Sequence, residues 1–382
     1  MKVFVVQKIS AIGGSERYLL KLLPALRREG VHVIFGFIYD GAFSREMQLI
    51  LDEFNESNVP VVKFCVSRVP RISQIRSFAN HIREENYDLI HSHLLVTDFI
   101  CVLAKMIYVK DMVIVSTKHG YNEWYNNKNG FAVNKKDKRF YRFLASVTEK
   151  KVDRSFAVSK AIADLYVNLG ICCRENLDVI YHGFDYPHVE NNMSLRKSHF
   201  QIIIAGRLTA FKGHRFGIEA MSTVTSKYPD AHLIIVGDGI ERSNLELQIQ
   251  SLDLGENVSL LGFVPNVREY MSSSDIVLIP SVSEAFGLVF LEAMSCKRAI
   301  ICFDAPAGNE ILEKDVTGIF VEKYDAKKMG EEIIKLFDNR EKMHEIGSRA
   351  YMVQKQNYNL SVMVENTILF YDNVLKKHIP ND

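Results

Sequence analysis

Glu284 and Glu292, eight positions apart in Ser283-Glu-Ala-Phe-Gly-Leu-Val-Phe-Leu-Glu-Ala-Met294, are the residues of this chain whose types and spacing point most directly to chemistry. The run before them, Asp275-Ile-Val-Leu-Ile-Pro280, is short and almost wholly apolar, as a strand buried on both faces should be, and a helix is expected from Gly287 onward. Such a junction stands at the carboxyl edge of an open parallel sheet. There the free N–H groups of Leu288 and Val289 can meet a phosphate, Glu284 on the loop can reach a polar ligand, and Glu292 in the helix can accept hydrogen bonds from hydroxyls. A cap, or a favourable charge at the positive end of the helix dipole, accounts for Glu284 equally well. Capping does not account for Glu292, set among Leu291, Ala293 and Met294; a solvated position is its alternative.

A second cluster follows another apolar run, in Ile204-Ala-Gly206-Arg207-Leu-Thr-Ala-Phe-Lys212-Gly213-His214. Arginine offers a planar fork of donors and lysine a compact charge, so the pair suits a diphosphate and would stabilise negative charge growing on a departing phosphate. Two solvated surface cations are the plainer reading. Val236-Gly237-Asp238-Gly239 says by itself only that the chain turns. Near the start, Gln7-Lys-Ile-Ser-Ala-Ile-Gly13-Gly14-Ser15 links a first strand to a helix opening at about Ser15, and its glycines allow close backbone approach to an anion. It lacks the Gly-x-Gly-x-x-Gly spacing of nicotinamide-binding folds, which counts against a dehydrogenase. His91 and His93 share one face if their strand continues, so a metal pair is conceivable, but no third ligand cluster accompanies them. His119 stands just after another strand, before Gly120, where it can contact a sugar or simply be a satisfied structural histidine.

The elements that must position these residues alternate between short apolar runs and helical patterns, as in parallel sheets covered by helices. Strands are expected at 2–6, 31–37, 61–65, 88–91, 112–116, 154–158 and 178–181. After a polar linker at 191–198 the alternation restarts, with strands at 200–205, 232–236, 258–261, 275–280 and 299–303. This implies an α/β protein of two Rossmann-like, doubly wound domains facing a cleft: 1–188, joined by a C-terminal helix at about 360–382, and 189–359. In 360–375, Val362, Val364, Ile368, Leu369, Tyr371 and Val374 form the apolar side of a helix that crosses back.

At 382 residues the chain is long enough for two ordinary cores, and its 47 Lys plus Arg against 46 Asp plus Glu argue against a dedicated nucleic-acid binder. The six cysteines show neither a Cys-x-x-Cys pair nor a regular framework, which argues against disulfides and zinc and for a reducing, cytoplasmic setting. The first residues read as a strand rather than a signal peptide, and no apolar stretch reaches membrane-spanning length. Residues 126–154 carry nine basic side chains against three acidic, interleaved with Phe131, Phe140, Tyr141 and Phe143. Such a segment can rest on an anionic membrane surface, placing the protein at the inner face of the membrane, or be a solvated helix face.

Taken in order, these segments resemble the retaining GT-B glycosyltransferases of glycosyltransferase family 4. The resemblance spans nearly the whole chain. Its most specific part is the glutamate pair, joined by Gly206-Arg-Leu with Lys212-Gly, Gly237-Asp-Gly, Gly262-Phe-Val-Pro265 and Thr317-Gly-Ile-Phe-Val321. It implies that Glu292 holds the nucleotide ribose, Glu284 the donor sugar's hydroxyls, and the N–H groups of Leu288 and Val289 the diphosphate. Arg207 and Lys212 would neutralise the leaving group, His119 would lie near the sugar, and Val264 would hold the base. Gly14 would let the first domain close over the phosphates, with Gly13, Gly206, Gly237, Phe286 and Gly287 completing the donor site. It further implies transfer of a sugar from a nucleotide sugar, UDP by default and GDP as the alternative, to a saccharide or lipid-linked acceptor, with retention and with no metal or other cofactor. Two departures leave the donor sugar open: Cys296-Lys-Arg298 replaces the usual Gly-x-Pro, and His182-Gly183 the usual Asn-Gly. The same architecture also serves nucleotide-sugar 2-epimerases, and a catalytically silent nucleotide-sugar-binding subunit would keep the same pocket.

Overall fold

The computed structural model describes residues 1–9, 13–67, 69–121 and 139–378. They fall into two compact units: residues up to 121, 139–183 and 360–378 form the first, and 184–359 the second.

In the first unit seven strands, β1 (Lys2–Lys8), β2 (His32–Tyr39), β3 (Val61–Cys65), β4 (Leu89–His93), β5 (Ile114–Lys118), β6 (Arg154–Ala157) and β7 (Leu177–Val179), form one sheet in the order β3-β2-β1-β4-β5-β6-β7. Every pairing is parallel. Central β1 shows why: Val3, Phe4, Val5 and Val6 have no exposed surface, so both strand faces need a covering layer, which helical crossovers supply. One layer includes the helices Ile72–Glu85 and Leu95–Ile107, whose Ile75, Phe78, Ile82 and Ile100 pack with Phe4, Ile34 and Ile90. The helix Gly14–Arg28 packs against the C-terminal helix Leu360–His378.

The second unit repeats the plan with β8 (Gln201–Ala205), β9 (His232–Val236), β10 (Val258–Gly262), β11 (Ile276–Ile279), β12 (Ala299–Phe303) and β13 (Ile319–Val321), ordered β10-β9-β8-β11-β12-β13 and again all parallel. Burial of each isoleucine or leucine in these strands contributes roughly 1.5–3 kcal/mol. Chain order reverses between β1 and β4 in the first sheet and between β8 and β11 in the second. Open sheets leave a crevice beyond the carboxyl ends of the strands at such a reversal.

Several sequence expectations are corrected in detail. β5 lies two residues later than expected and ends on Lys118, because that lysine is neutralised internally by carboxylates from two helices. β4 runs on to His93, and β13, three residues long, was not expected as a strand at all. In the C-terminal helix Leu369 is 57% exposed, while Met363, Thr367 and Phe370 are buried alongside Val364, Tyr371 and Val374. The 191–198 linker is packed rather than loose: Arg196 pairs with Asp275 at 2.8 Å, and the Asn192 N–H donates to Ser273 Oγ.

Candidate active site

In the second unit, three loops at the carboxyl edge of the sheet are held hard against one another. Gly213 ends the loop after β8 at φ +70°, and a Cβ there would lie 1.9 Å from the carbonyl oxygen of Pro280, where β11 has just ended. Gly237, after β9, has φ +137°, and its Cβ would lie 1.9 Å from the carbonyl oxygen of Gly206. Only glycine fits such positions without strain. Backbone hydrogen bonds join the loops: Leu208 N–H donates to Asp238 O (2.9 Å), Glu241 N–H to Leu208 O (3.0 Å) and Val282 N–H to Phe211 O (2.8 Å).

This frame brings Lys212 and Glu284 together across the reversal point. Lys212 Nζ lies 2.5 Å from Glu284 Oε1, and Ser281 Oγ donates to the same oxygen at 2.9 Å. Glu284 is therefore engaged by a cation and a hydroxyl rather than capping the next helix. That helix, Leu288–Ser295, starts after Gly287 at φ +86°, and its first position has no side-chain cap. The opening N–H groups, those of Leu288 and Val289 included, lack an intrahelical partner and carry the positive end of the dipole. Glu292 is half-buried in the second turn, between the buried Leu291 and Ala293, while Phe286 is buried. Arg207 is exposed one residue after Gly206, and Val264 is half-buried just beyond β10. His214, buried beside Lys212, is held neutral by burial, its pKa pushed down to about 3. The unit thus offers an anion two cationic side chains and a helix N-terminus, with carboxylates beside them for hydroxyls.

In the first unit, Gly13 and Gly14 follow β1. The Gly13 N–H donates to Glu16 Oε2 (2.9 Å), and Gln7 Nε2 donates to Glu16 Oε1 (2.5 Å), which fixes the helix entrance. Among the described residues a Cβ on Gly14 would meet nothing within 4 Å, and its φ is not left-handed, so nothing in the described fold requires glycine there.

His119 belongs to a buried stack of rings. β4 and β5 pair with His91 opposite Val115 and His93 opposite Thr117. Side-chain alternation then brings His91, His93, Thr117 and His119 to one face. The His91 and His93 rings are 4.1 Å apart, His93 Nδ1 is 2.9 Å from His119 Nε2, and Tyr18 stands edge-on to His119 and His182. The two His91 nitrogens each lie 2.6 Å from a hydroxyl, of Tyr371 and of Thr117. Burial lowers the pKa of all four histidines, to about 3 for His91 and His119. Beside them Lys118 Nζ meets Asp98 at 2.9 Å and Glu149 at 2.6 Å. Burial alone would lower its pKa, but the two carboxylates outweigh that and hold it above the usual lysine range.

Sequence reasoning missed the Lys118 ion cluster, Tyr18 and the bond from His93 to His119. The alternate spacing of His91 and His93 was visible, but it signals a ring stack: among the described residues no group of three His, Cys, Asp or Glu side chains could hold a metal. In the basic stretch, 126–138 lie outside the described residues. The helix Arg139–Glu149 exposes Phe140, Phe143 and Val147, and its Glu149 is turned to Lys118 rather than to solvent. No helix among the described residues is long and apolar enough to cross a membrane.

The family description "Glycosyltransferase Family 4" matches residues 12–186, and "Glycosyl transferases group 1" matches 190–353. The chain belongs to the group 1, family 4 glycosyltransferases. This glycosyltransferase is 28% identical over 323 residues, 81% of its length and 83% of the relative's, to the N-acetylgalactosamine-N,N'-diacetylbacillosaminyl-diphospho-undecaprenol 4-alpha-N-acetylgalactosaminyltransferase of Campylobacter jejuni. It is 25% identical over 301 residues, 76% of each chain, to the N-acetyl-alpha-D-glucosaminyl L-malate synthase of Bacillus anthracis. Among solved structures, Anabaena Alr3699/HepE in complex with UDP matches with a TM-score of 0.81 at 21% identity, over 98% of this chain and all of that one. Sucrose-phosphate synthase from Thermosynechococcus elongatus matches at 0.76 and 15%, over 98% and 99%. The fold of this glycosyltransferase is GT-B, and it acts in glycan or glycolipid biosynthesis.

Proposed function

We propose that this glycosyltransferase moves a sugar from a UDP-sugar to a saccharide or lipid-linked saccharide with retention of anomeric configuration, without a metal ion. One observation carries this reading: Lys212, paired with Glu284 across the reversal point of the second sheet, stands with Arg207 in a glycine-built frame beside an uncapped helix start. Such a set neutralises a diphosphate, the group that must leave when the glycosidic bond to the nucleotide breaks. Lys212 and Arg207 stabilise the charge that grows on the departing phosphate, the N–H groups of Leu288 and Val289 bind its oxygens, and Glu292 accepts from the ribose hydroxyls. Glu284 accepts from hydroxyls of the sugar. The acceptor hydroxyl attacks the anomeric carbon from the face the diphosphate leaves, and a phosphate oxygen takes its proton, so no side chain is needed as nucleophile. His119 contacts the substrate. Gly14, whose missing side chain nothing among the described residues explains, admits a ligand close to the helix start.

The Anabaena structure is a complex with UDP, and the Campylobacter enzyme is named for a diphospho-undecaprenol acceptor, which supports both choices. Contact with an anionic membrane through the helix Arg139–Glu149 is part of the proposal. Exposed Phe140, Phe143 and Val147 would enter the headgroup region, with the exposed Arg142, Lys150 and Lys151 at its surface. The test is release of UDP from a panel of UDP-sugars with saccharide and lipid-linked acceptors, followed by NMR assignment of the product anomer. An α-linked product from an α-configured donor, formed at full rate in EDTA, is expected. Inversion, loss of turnover in EDTA, or epimerised nucleotide sugar without transfer contradicts the proposal.

A further inference from the structure

We propose that His93 is a positioning residue: its Nδ1–H donates to Nε2 of His119 and so fixes the His119 ring as the tautomer protonated on Nδ1, a neutral hydrogen-bond donor rather than a base. The catalytic consequence rests on the reading above, in which His119 touches substrate. The tautomer itself does not.

The argument starts from the two nitrogens of His93. Nδ1 lies 2.9 Å from His119 Nε2, and Nε2, fully buried, has no hydrogen-bond partner among the described residues. The ring has no exposed surface, and burial holds it neutral, so it carries one N–H. If that proton sat on Nε2, a buried donor would go unmet, and His93 Nδ1 could only accept from a His119 protonated on Nε2. With the proton on Nδ1, the unmet group is a lone pair, and under-used buried acceptors are tolerated better than orphaned N–H groups. His119 Nε2 then accepts, and its single proton resides on Nδ1. A hydrogen bond at one ring nitrogen thus assigns the function of the other.

The packing locks this arrangement. His93 is backed by the His91 ring at 4.1 Å, and His91 is held at both nitrogens by Tyr371 and Thr117 hydroxyls. Tyr18, from the helix Gly14–Arg28, meets the His119 ring edge-on at 5.1 Å. His119 alone among these six residues is only partly buried, so its Nδ1–H is the group of the stack left to meet an acceptor oxygen such as a sugar hydroxyl. A base would need the opposite tautomer or a bare Nδ1, and His93 excludes both.

Ring nitrogen-15 NMR of the full-length protein labelled in histidine, with His119→Gln used for assignment, reads the tautomer without turnover. The wild-type spectrum should show His119 with protonated Nδ1 and bare Nε2. His93→Leu should lose that preference, and His93→Asn, whose amide N–H can stand where Nδ1–H stood, should keep it. Turnover, measured as UDP release with whichever UDP-sugar the panel identifies, should fall about tenfold in kcat for His93→Leu and recover in His93→Asn. Binding of UDP alone by titration calorimetry should stay within about twofold in both, since none of its proposed contacts is a member of the ring stack. Protonated Nε2 on His119 in the wild type, or an unchanged tautomer in folded His93→Leu, overturns the proposal, and the wild-type spectrum decides even if that variant fails to fold. Full turnover in His119→Gln would instead remove His119 from the mechanism while leaving the tautomer assignment standing.

Discussion

Replacing Lys212 with methionine separates the role of its charge from that of its bulk. The stem of the lysine keeps an unbranched replacement of similar length, while the ammonium that meets Glu284 Oε1 is lost. The side chains are 17% and 9% exposed, so the pair sits at the sheet edge rather than in the core, and Glu284 retains the Ser281 hydroxyl at 2.9 Å. Leaving that carboxylate with one partner costs about 1–2 kcal/mol of stability, a few degrees in Tm for units of this size. In the transition state the loss is larger, because a fixed positive charge at a site sheltered from water is removed where negative charge develops. Loss of one such group typically costs roughly 3–4 kcal/mol, or 100- to 1000-fold in kcat. UDP release under saturating donor, with thermal unfolding run in parallel, separates the two costs. If folded Lys212→Met turns over within about threefold of wild type, the leaving-group role fails. A merely structural pair would show a different pattern, with the stability loss recovered in the Lys212→Met/Glu284→Gln double variant and turnover untouched.

Gly14→Ala should leave Tm unchanged or slightly raised, since its Cβ meets nothing within 4 Å among the described residues, yet weaken donor use at least about tenfold; equal kcat/KM would show that no ligand passes there. His91 and His93 stay neutral in the fold, whereas an exposed histidine protonates near pH 6.5, so the unfolded chain takes up more protons as pH falls and stability drops with it. The two together should remove about 2 kcal/mol between pH 6.5 and 5.5, visible as a falling Tm; a flat Tm over that interval would contradict their burial as neutral rings. Flotation with vesicles of anionic lipid should carry the protein in low salt, and Phe140→Ser/Phe143→Ser should abolish it. Equal flotation with zwitterionic vesicles would count against the headgroup attraction.

The strands were legible because a parallel strand covered on both faces reads as an unbroken apolar run; His232–Val236 and Ala299–Phe303 lie where those runs place them. What escaped depends on partners far away in sequence. The expected strand stopped at residue 116, short of Lys118, because Asp98 and Glu149, which neutralise that lysine, lie 20 and 31 positions away. His91 and His93 were visible as a same-face pair, but Tyr371, which occupies His91 Nδ1, comes from 280 residues further on. β13 is too short to stand out, and Leu369 breaks the helical stripe it was counted in. At the candidate site, residue types and spacing pointed to loops after β8 and β11, but not to the ion pair between them. Pairing of Lys212 with Glu284 follows from strand order, which places β8 beside β11, and from glycines that allow the loops to touch.

Crystals of the protein with UDP would test the donor assignment most directly. The diphosphate should lie within about 3.2 Å of Lys212 Nζ and of the Leu288 or Val289 N–H, with the ribose hydroxyls on the Glu292 carboxylate. UDP bound away from the β8 and β11 loops, with Lys212 still paired only to Glu284, would contradict it.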